Sequence, residues 1–166
     1  EKLAAGEVEC MIAAGMGGRL IVKILEEYPE KRQSLRCLVL QPQSELSFVR
    51  GYLRKRGFVI RREDMILEDG KFYPMMLAEA VNAGGEPSPD AEKNAYLESL
   101  EDEFGPCLIR ERNPVLLTYL DWWEELQNKI LKEVLTYPNR RAQVEEELSR
   151  IRDVRRRMDT GGGDVV

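Results

Sequence analysis

The sequence predicts an α/β fold whose sheet runs parallel at first and closes with an antiparallel hairpin, followed by a separate helical hairpin. Three observations point to it. Two short apolar runs, Cys10–Ala13 and Cys37–Leu40, are each followed by residues that repeat at helical spacing. Asp69-Gly70 then separates two extended runs, a dipeptide that suits a tight two-residue turn because both positions accept positive φ. Beyond Asn113 the apolar residues space by fours and threes between charged flanks.

The elements follow in order. Val8-Glu9-Cys10-Met11-Ile12-Ala13 reads as a strand buried on both faces, ending in Gly15-Met16-Gly17-Gly18. Leu20, Ile21, Ile24 and Leu25 form one stripe of a helix that Pro29 closes. Cys37-Leu38-Val39-Leu40 is a second buried strand, stopped by Gln41-Pro42. Ser44 is the expected N-cap of a second helix with Phe48, Val49, Tyr52 and Leu53 on its stripe, and Gly57 is its C-terminal glycine. Strand, helix, strand, helix at this spacing is a parallel unit with right-handed crossovers. Phe58–Leu67 and Phe72–Val81 form the hairpin, and the run from Asn82 to Pro89 is a loop by composition. Asn113-Pro114 opens a long helix carrying Leu116, Leu120, Trp123, Leu126, Ile130 and Val134. Thr136-Tyr137-Pro138-Asn139 breaks it, and Val144, Leu148, Ile151 and Met158 continue a narrower, coiled-coil-like stripe. The expected divisions are 1–84 for the sheet domain, 85–112 for a connecting segment, 113–159 for the helical hairpin and 160–166 for a disordered tail.

Composition narrows the chemistry. With 43% hydrophobic and 33% charged residues the chain reads as a soluble globular protein, and no apolar run approaches the roughly 18 residues of a membrane span. The opening Glu1-Lys2-Leu3-Ala4-Ala5-Gly6 resembles neither a signal nor a transit peptide. Three cysteines do not make a disulfide framework or a zinc site; Cys10, Cys37 and Cys107 read as buried small hydrophobes, which suits a reducing cytoplasm. The chain has no histidine, which removes Ser-His-Asp and Cys-His catalysis and makes the common zinc sites improbable, so no metal is expected. The net charge of −5 argues weakly against a nucleic-acid partner, but its distribution argues differently. Arg50, Arg54, Lys55, Arg56, Arg61 and Arg62 follow one another without an acid, and 140–158 is basic again.

The glycine turn stands where a strand hands over to a helix, the place where α/β sheets bind ligands. It has three readings. The glycines serve only backbone conformation and strand–helix packing. Alternatively they belong to a dinucleotide site, although Leu20 occupies the third glycine position of that fingerprint and no acid ends the next strand. Or the turn lies in the middle of a methyltransferase sheet, which ends with a last strand inserted antiparallel between its neighbours, as the hairpin would supply. In that case the glycine-rich cofactor loop belongs to an earlier strand, and a chain that begins with Glu1 rather than methionine is consistent with truncation.

Four segments in order resemble the bacterial tRNA (adenine(22)-N(1))-methyltransferase family, TrmK. They are Ala14-Gly15-Met16-Gly17-Gly18 with the stripe that follows, Leu38-Val39-Leu40-Gln41-Pro42, Ile66–Lys71 with Tyr73 and Ala78-Glu79-Ala80, and Phe104-Gly105-Pro106 with Glu111-Arg112-Asn113. Gln43 departs from the asparagine the family usually carries after Gln-Pro, and Gly84–Glu103 matches poorly. The resemblance implies the carboxyl-terminal half of a Rossmann-like methyltransferase sheet, S-adenosyl-L-methionine as cofactor and tRNA as substrate. It implies that Ala14, Gly15, Met16, Gly17 and Gly18 line the cofactor and that Gln41, Pro42 and Tyr73 face the adenine, while Gln41-Pro42 reads equally well as a helix-entry turn. N1 of adenine carries its own lone pair, so no general base is needed and positioning is the main requirement. Arg50, Arg54, Lys55 and Arg56, together with Arg155, Arg156 and Arg157, are the candidates to hold phosphates, against the simpler reading of solvated helix faces. Trp122 and Trp123 read as hairpin core. The reading of another class is a non-enzymatic RNA-binding or dimerising module.

Overall fold

The computed structural model describes residues 4, 6–81 and 95–160; the loop read at Asn82–Pro89 and most of the expected tail lie outside them. The chain divides into two compact units, Glu1–Cys107 and Leu108–Val166.

The first unit is built on a four-stranded sheet. Strand β1 (Cys10–Met16) pairs in parallel with β2 (Cys37–Pro42), with Ile12 opposite Val39 and Ala13 opposite Leu40. The hairpin strands β3 (Phe58–Glu68) and β4 (Lys71–Ala80) join at Asp69-Gly70, whose φ values of 49° and 74° are those of the expected turn. The order is β1-β2-β4-β3, so the last strand lies antiparallel between its neighbours. Between the strands run α1 (Gly18–Glu27), α2 (Pro29–Ser34) and α3 (Leu46–Lys55), and α4 (Ala95–Phe104) follows the hairpin. Two short helices therefore occupy part of the stretch read as a connection, α4 and α5 (Pro106–Arg110).

The core lies on one face of this sheet. Ala13, Leu38, Leu40, Phe58, Met76 and Ala78 pack against Ile21, Val22 and Leu25 of α1 and Val49 and Leu53 of α3. The buried side of α1 is thus one position off the expected stripe, since Leu20 is half exposed, and Phe48 likewise leaves the buried side of α3. Nor is β1 covered on both faces. Ile12 is 75% exposed, and Val39 and Val59 on the same face are also open, because no described element of the first unit covers that side.

Two further expectations are corrected. Ser44 does not cap α3: its carbonyl accepts the Gly18 amide at 3.2 Å, and Glu45, at φ 56°, takes the N-cap position without a side-chain cap. Cys10 and Cys37 are not buried apolar side chains but a disulfide, with Cα atoms 4.7 Å apart and a sequence separation of 27. They are the first residues of adjacent parallel strands in register, a juxtaposition that exists only once the sheet forms. Closing a loop of that length should contribute about 3–4 kcal/mol to the stability of the unit, lost on reduction. Thiol titration of the denatured, unreduced chain is expected to find Cys107 alone, and all three cysteines after reduction. Three reactive thiols before reduction would remove the bridge.

In the second unit Asn113 caps α6 (Pro114–Glu133) as its sequence predicts, with Oδ1 accepting from the amides of Val115 and Leu116 at 2.9 and 3.1 Å. Helix α7 (Pro138–Thr160) returns along it, burying Val144, Leu148, Ile151, Val154 and Met158. Trp122 does not join this core: it is half exposed beside Tyr119 and Trp123, with ring centroids about 6 Å apart.

Candidate functional site

The carboxyl ends of β1 and β2 meet in a crevice built from backbone. Gly15 adopts φ 74°, a conformation that L side chains rarely take, and nothing lies within 4 Å of where a Cβ would project. Its amide donates to Oε1 of Gln41 at 2.9 Å, so the strand-end glutamine holds the glycine turn in place. Met16 pairs with Pro42 after a register shift that leaves Gly15 as the extra residue, and its carbonyl accepts the Gln43 amide at 3.0 Å. Ala14 and Gly15 are exposed, leaving open space against the backbone in which a ligand can lie close.

The remaining glycines are held for a different reason. A Cβ on Gly18 would stand 2.6 Å from the Ser44 carbonyl oxygen and 2.7 Å from Val49 Cγ2, so this position is packing. Gly17 is intermediate, 3.2 Å from a Ser44 Oγ that can rotate away. The packing reading of the turn therefore holds at Gly18, whereas at Gly15 the fold itself leaves the space open.

Glu45 completes the crevice. Its carboxylate accepts the backbone amide of Arg19 at 3.1 Å and pairs with the Arg19 Nε, and the Arg19 hydrogen bond holds its carboxyl below the usual carboxylate range. An acid from the second loop thus serves the first turn of α1. Nothing in the spacing of the sequence announces this, since the two residues are brought together only by the parallel pairing of β1 and β2. Tyr73 reaches the same end of the sheet, because β4 enters antiparallel and Tyr73 precedes Met76, the partner of Leu40, by three residues; it is half-buried.

The basic stretch is not the open face that its composition suggests. Arg50 is 1% exposed and cannot meet a phosphate. Its Nε donates to Glu63 Oε1 at 2.8 Å, and its Nη1 donates to the Asp102 and Glu103 carbonyls at the end of α4. Glu63 Oε2 in turn accepts the Cys107 amide at 2.9 Å. Arg54 pairs with Glu98 and Asp102 at 2.6 and 2.8 Å, and Arg56 with Glu26 at 2.8 Å. The acidic residues of α4 and the end of α1 thereby neutralise much of this charge. Lys55 stays exposed with no ion pair among the described residues. In the second unit Arg155 turns onto α6, reaching Asp121 and Glu124 at 2.5 and 3.3 Å, and so ties the hairpin together. Arg156 is exposed, 3.3 Å from Asp153, and Arg157 is half-buried. Among the described residues no helix is long and apolar enough to cross a membrane, and no group of three or more carboxylates or cysteines is placed to hold a metal ion.

The profile of the tRNA (adenine(22)-N(1))-methyltransferase family, TrmK, matches residues 1–155. This chain belongs to that family. The tRNA (adenine(22)-N(1))-methyltransferase of Bacillus subtilis is 30% identical over 159 residues, which are 96% of this chain and 63% of that protein. A Streptococcus pneumoniae protein solved in complex with S-adenosyl-L-methionine is 30% identical, with a TM-score of 0.69 over 89% of this chain and 60% of its own. The solved TrmK structure of Bacillus subtilis shares the fold at a TM-score of 0.71, covering 92% of this chain and 65% of that one, with 24% identity. The chain thus spans less than two thirds of the length of these relatives. TrmK is the family that the four segments of the sequence resemble.

Proposed function

We propose that this chain forms the base-facing wall and the RNA-holding part of an S-adenosyl-L-methionine-dependent methyltransferase that modifies N1 of an adenine in tRNA. The observation that carries the reading is the crevice: an exposed Ala14-Gly15 backbone beside Gln41-Pro42, held by the Gly15–Gln41 hydrogen bond, with room against Gly15 for a ligand. S-adenosyl-L-methionine, when bound, supplies a methyl group on a sulfonium sulfur. The residues Ala14 to Gly17 would border it, with the absence of side chains at Gly15 and Gly17 permitting close approach. Gln41 presents its amide at the same strand end, where its nitrogen can donate to a ring acceptor of the base while its oxygen holds Gly15. Pro42 and Tyr73 offer flat apolar surface to the adenine ring. Proton transfer to a side chain is not required, because N1 attacks through its own lone pair; what the protein contributes is alignment. A target base inside folded tRNA must be unstacked to enter such a crevice. Phosphates would meet Lys55, Arg62 and Arg156, which are exposed in the two units.

One experiment tests this reading. A polypeptide that joins this chain to the part of the Bacillus subtilis relative's length that it does not span should transfer labelled methyl to an unmodified tRNA transcript, and a transcript with guanine in place of adenine 22 should take no label. The chain by itself should not bind the cofactor with micromolar affinity in calorimetry, because a single wall leaves much of the ligand in water. Equal labelling of both transcripts would overturn the substrate assignment, and micromolar binding by the chain alone would overturn the one-walled pocket.

A further inference from the structure

Arg19 and Phe48 stand at the rim of the crevice, in the first turns of the two helices that leave the carboxyl ends of β1 and β2. The Arg19 guanidinium carbon lies 5.5 Å from the centroid of the Phe48 ring. Both are open: the Arg19 side chain is 78% exposed and Phe48 is 47% exposed, while Val49 and Leu53 take the buried side of α3. A single exposed phenylalanine carries no meaning by itself. Here the ring is matched with a cation that is itself held. Glu45 accepts both the backbone amide and Nε of Arg19, which fixes the guanidinium over one face of the ring, leaves the rest of the exposed ring for a partner, and leaves its two terminal amino groups without a hydrogen bond among the described residues.

We infer that Phe48 and Arg19 form a platform for one unpaired nucleotide of the RNA next to the target adenine, with its base stacked on Phe48 and its phosphate on the terminal amino groups of Arg19. This rests on the tRNA reading above and adds a contact that the reading does not contain. Protein surfaces that recognise unpaired RNA use aromatic faces and guanidinium planes for the bases and cations for the backbone, and here both are preassembled within reach of the glycine turn. The Glu45 carboxylate offsets part of the Arg19 charge, so stacking rather than charge supplies most of the affinity. Binding at this platform should therefore depend on salt only as one phosphate contact does.

The test uses the 166-residue chain, a fluorescently labelled hexamer of adenylates and an unmodified tRNA transcript, with binding read by anisotropy across a salt series. Phe48→Leu keeps an apolar side chain and removes the flat ring; it should weaken hexamer binding about tenfold, the order expected for one stacked base. Phe48→Tyr should bind within about twofold of the parent. Arg19→Gln, which leaves the ring in place, should weaken binding and lower the slope of log affinity against log salt by about one. Thermal unfolding of Phe48→Leu should match the parent, since the ring is not in the core. If the parent binds tRNA while Phe48→Leu and Arg19→Gln bind the hexamer as the parent does, the platform is overturned and the tRNA reading stands. If the parent binds neither RNA, the platform falls together with the reading on which it rests.

Discussion

Replacing Glu63 with alanine is expected to destabilise the first unit by about 3–5 kcal/mol, enough to unfold a marginal domain. The pair it forms with Arg50 is withdrawn from water, with side chains 0% and 1% exposed. Removing the carboxylate leaves a guanidinium that cannot lose its proton and has no counter-ion. The same change frees the Cys107 amide, a second buried donor. Urea unfolding of the variant should show the loss as a fall in midpoint. Arg50→Met alone should be similarly costly, because it strands the carboxylate and withdraws the donors that cap the last carbonyls of α4. Arg50→Met combined with Glu63→Met should cost clearly less than the sum of the two single changes, since apolar groups of similar volume often replace a buried ion pair at little expense. Additive losses would mean that the two charges do not depend on each other.

The second large effect separates two adjacent glycines. Gly17→Val is expected to lower methyl transfer by at least about a hundredfold while the protein stays folded, measured in the joined polypeptide by labelled methyl incorporation. The valine Cβ meets only a rotatable Ser44 hydroxyl within the fold, so its bulk is felt in the crevice, where a ligand must approach the backbone. Gly18→Ala should do the reverse. Its Cβ would press on the Ser44 carbonyl and Val49, costing about 1–3 kcal/mol of stability, and the catalytic loss should follow the loss of fold. Wild-type turnover by Gly17→Val would make both glycines packing residues and leave the crevice without its proposed occupant.

Much of the architecture was legible because its signals are local. The Asp69-Gly70 turn and the glycine after α3 each depend on a positive φ that only a few residue types tolerate, and the Asn113-Pro114 start on a side-chain cap that few residue types supply. The glycine turn of the site was legible for the same reason. What escaped the sequence depends on partners distant along the chain. Arg50 looked like part of a basic face because its neighbours are basic, yet its environment is set by Glu63 and by the carbonyls of α4, some 50 residues on. Cys10 and Cys37 looked apolar because their neighbours are apolar, yet they are juxtaposed by strand register. Glu45 and Arg19 carry no motif at all; their meeting follows from β2 lying beside β1, with both loops leaving the sheet at the same end.

The uncovered side of the sheet has a practical meaning for anyone who wishes to work with this polypeptide. Ile12 and Val39 form an oily surface that borders the outer edge of β1, and Val59 lies on the same face at the opposite edge, on β3. Threonine or lysine at these positions would make the molecule easier to express and concentrate, since the same side chains promote self-association. They are also the side chains on which any covering polypeptide must settle. Solubility engineering at this surface and the joined-polypeptide experiment proposed above therefore pull in opposite directions, and a variant chosen for good behaviour in the test tube is a poor starting point for that experiment.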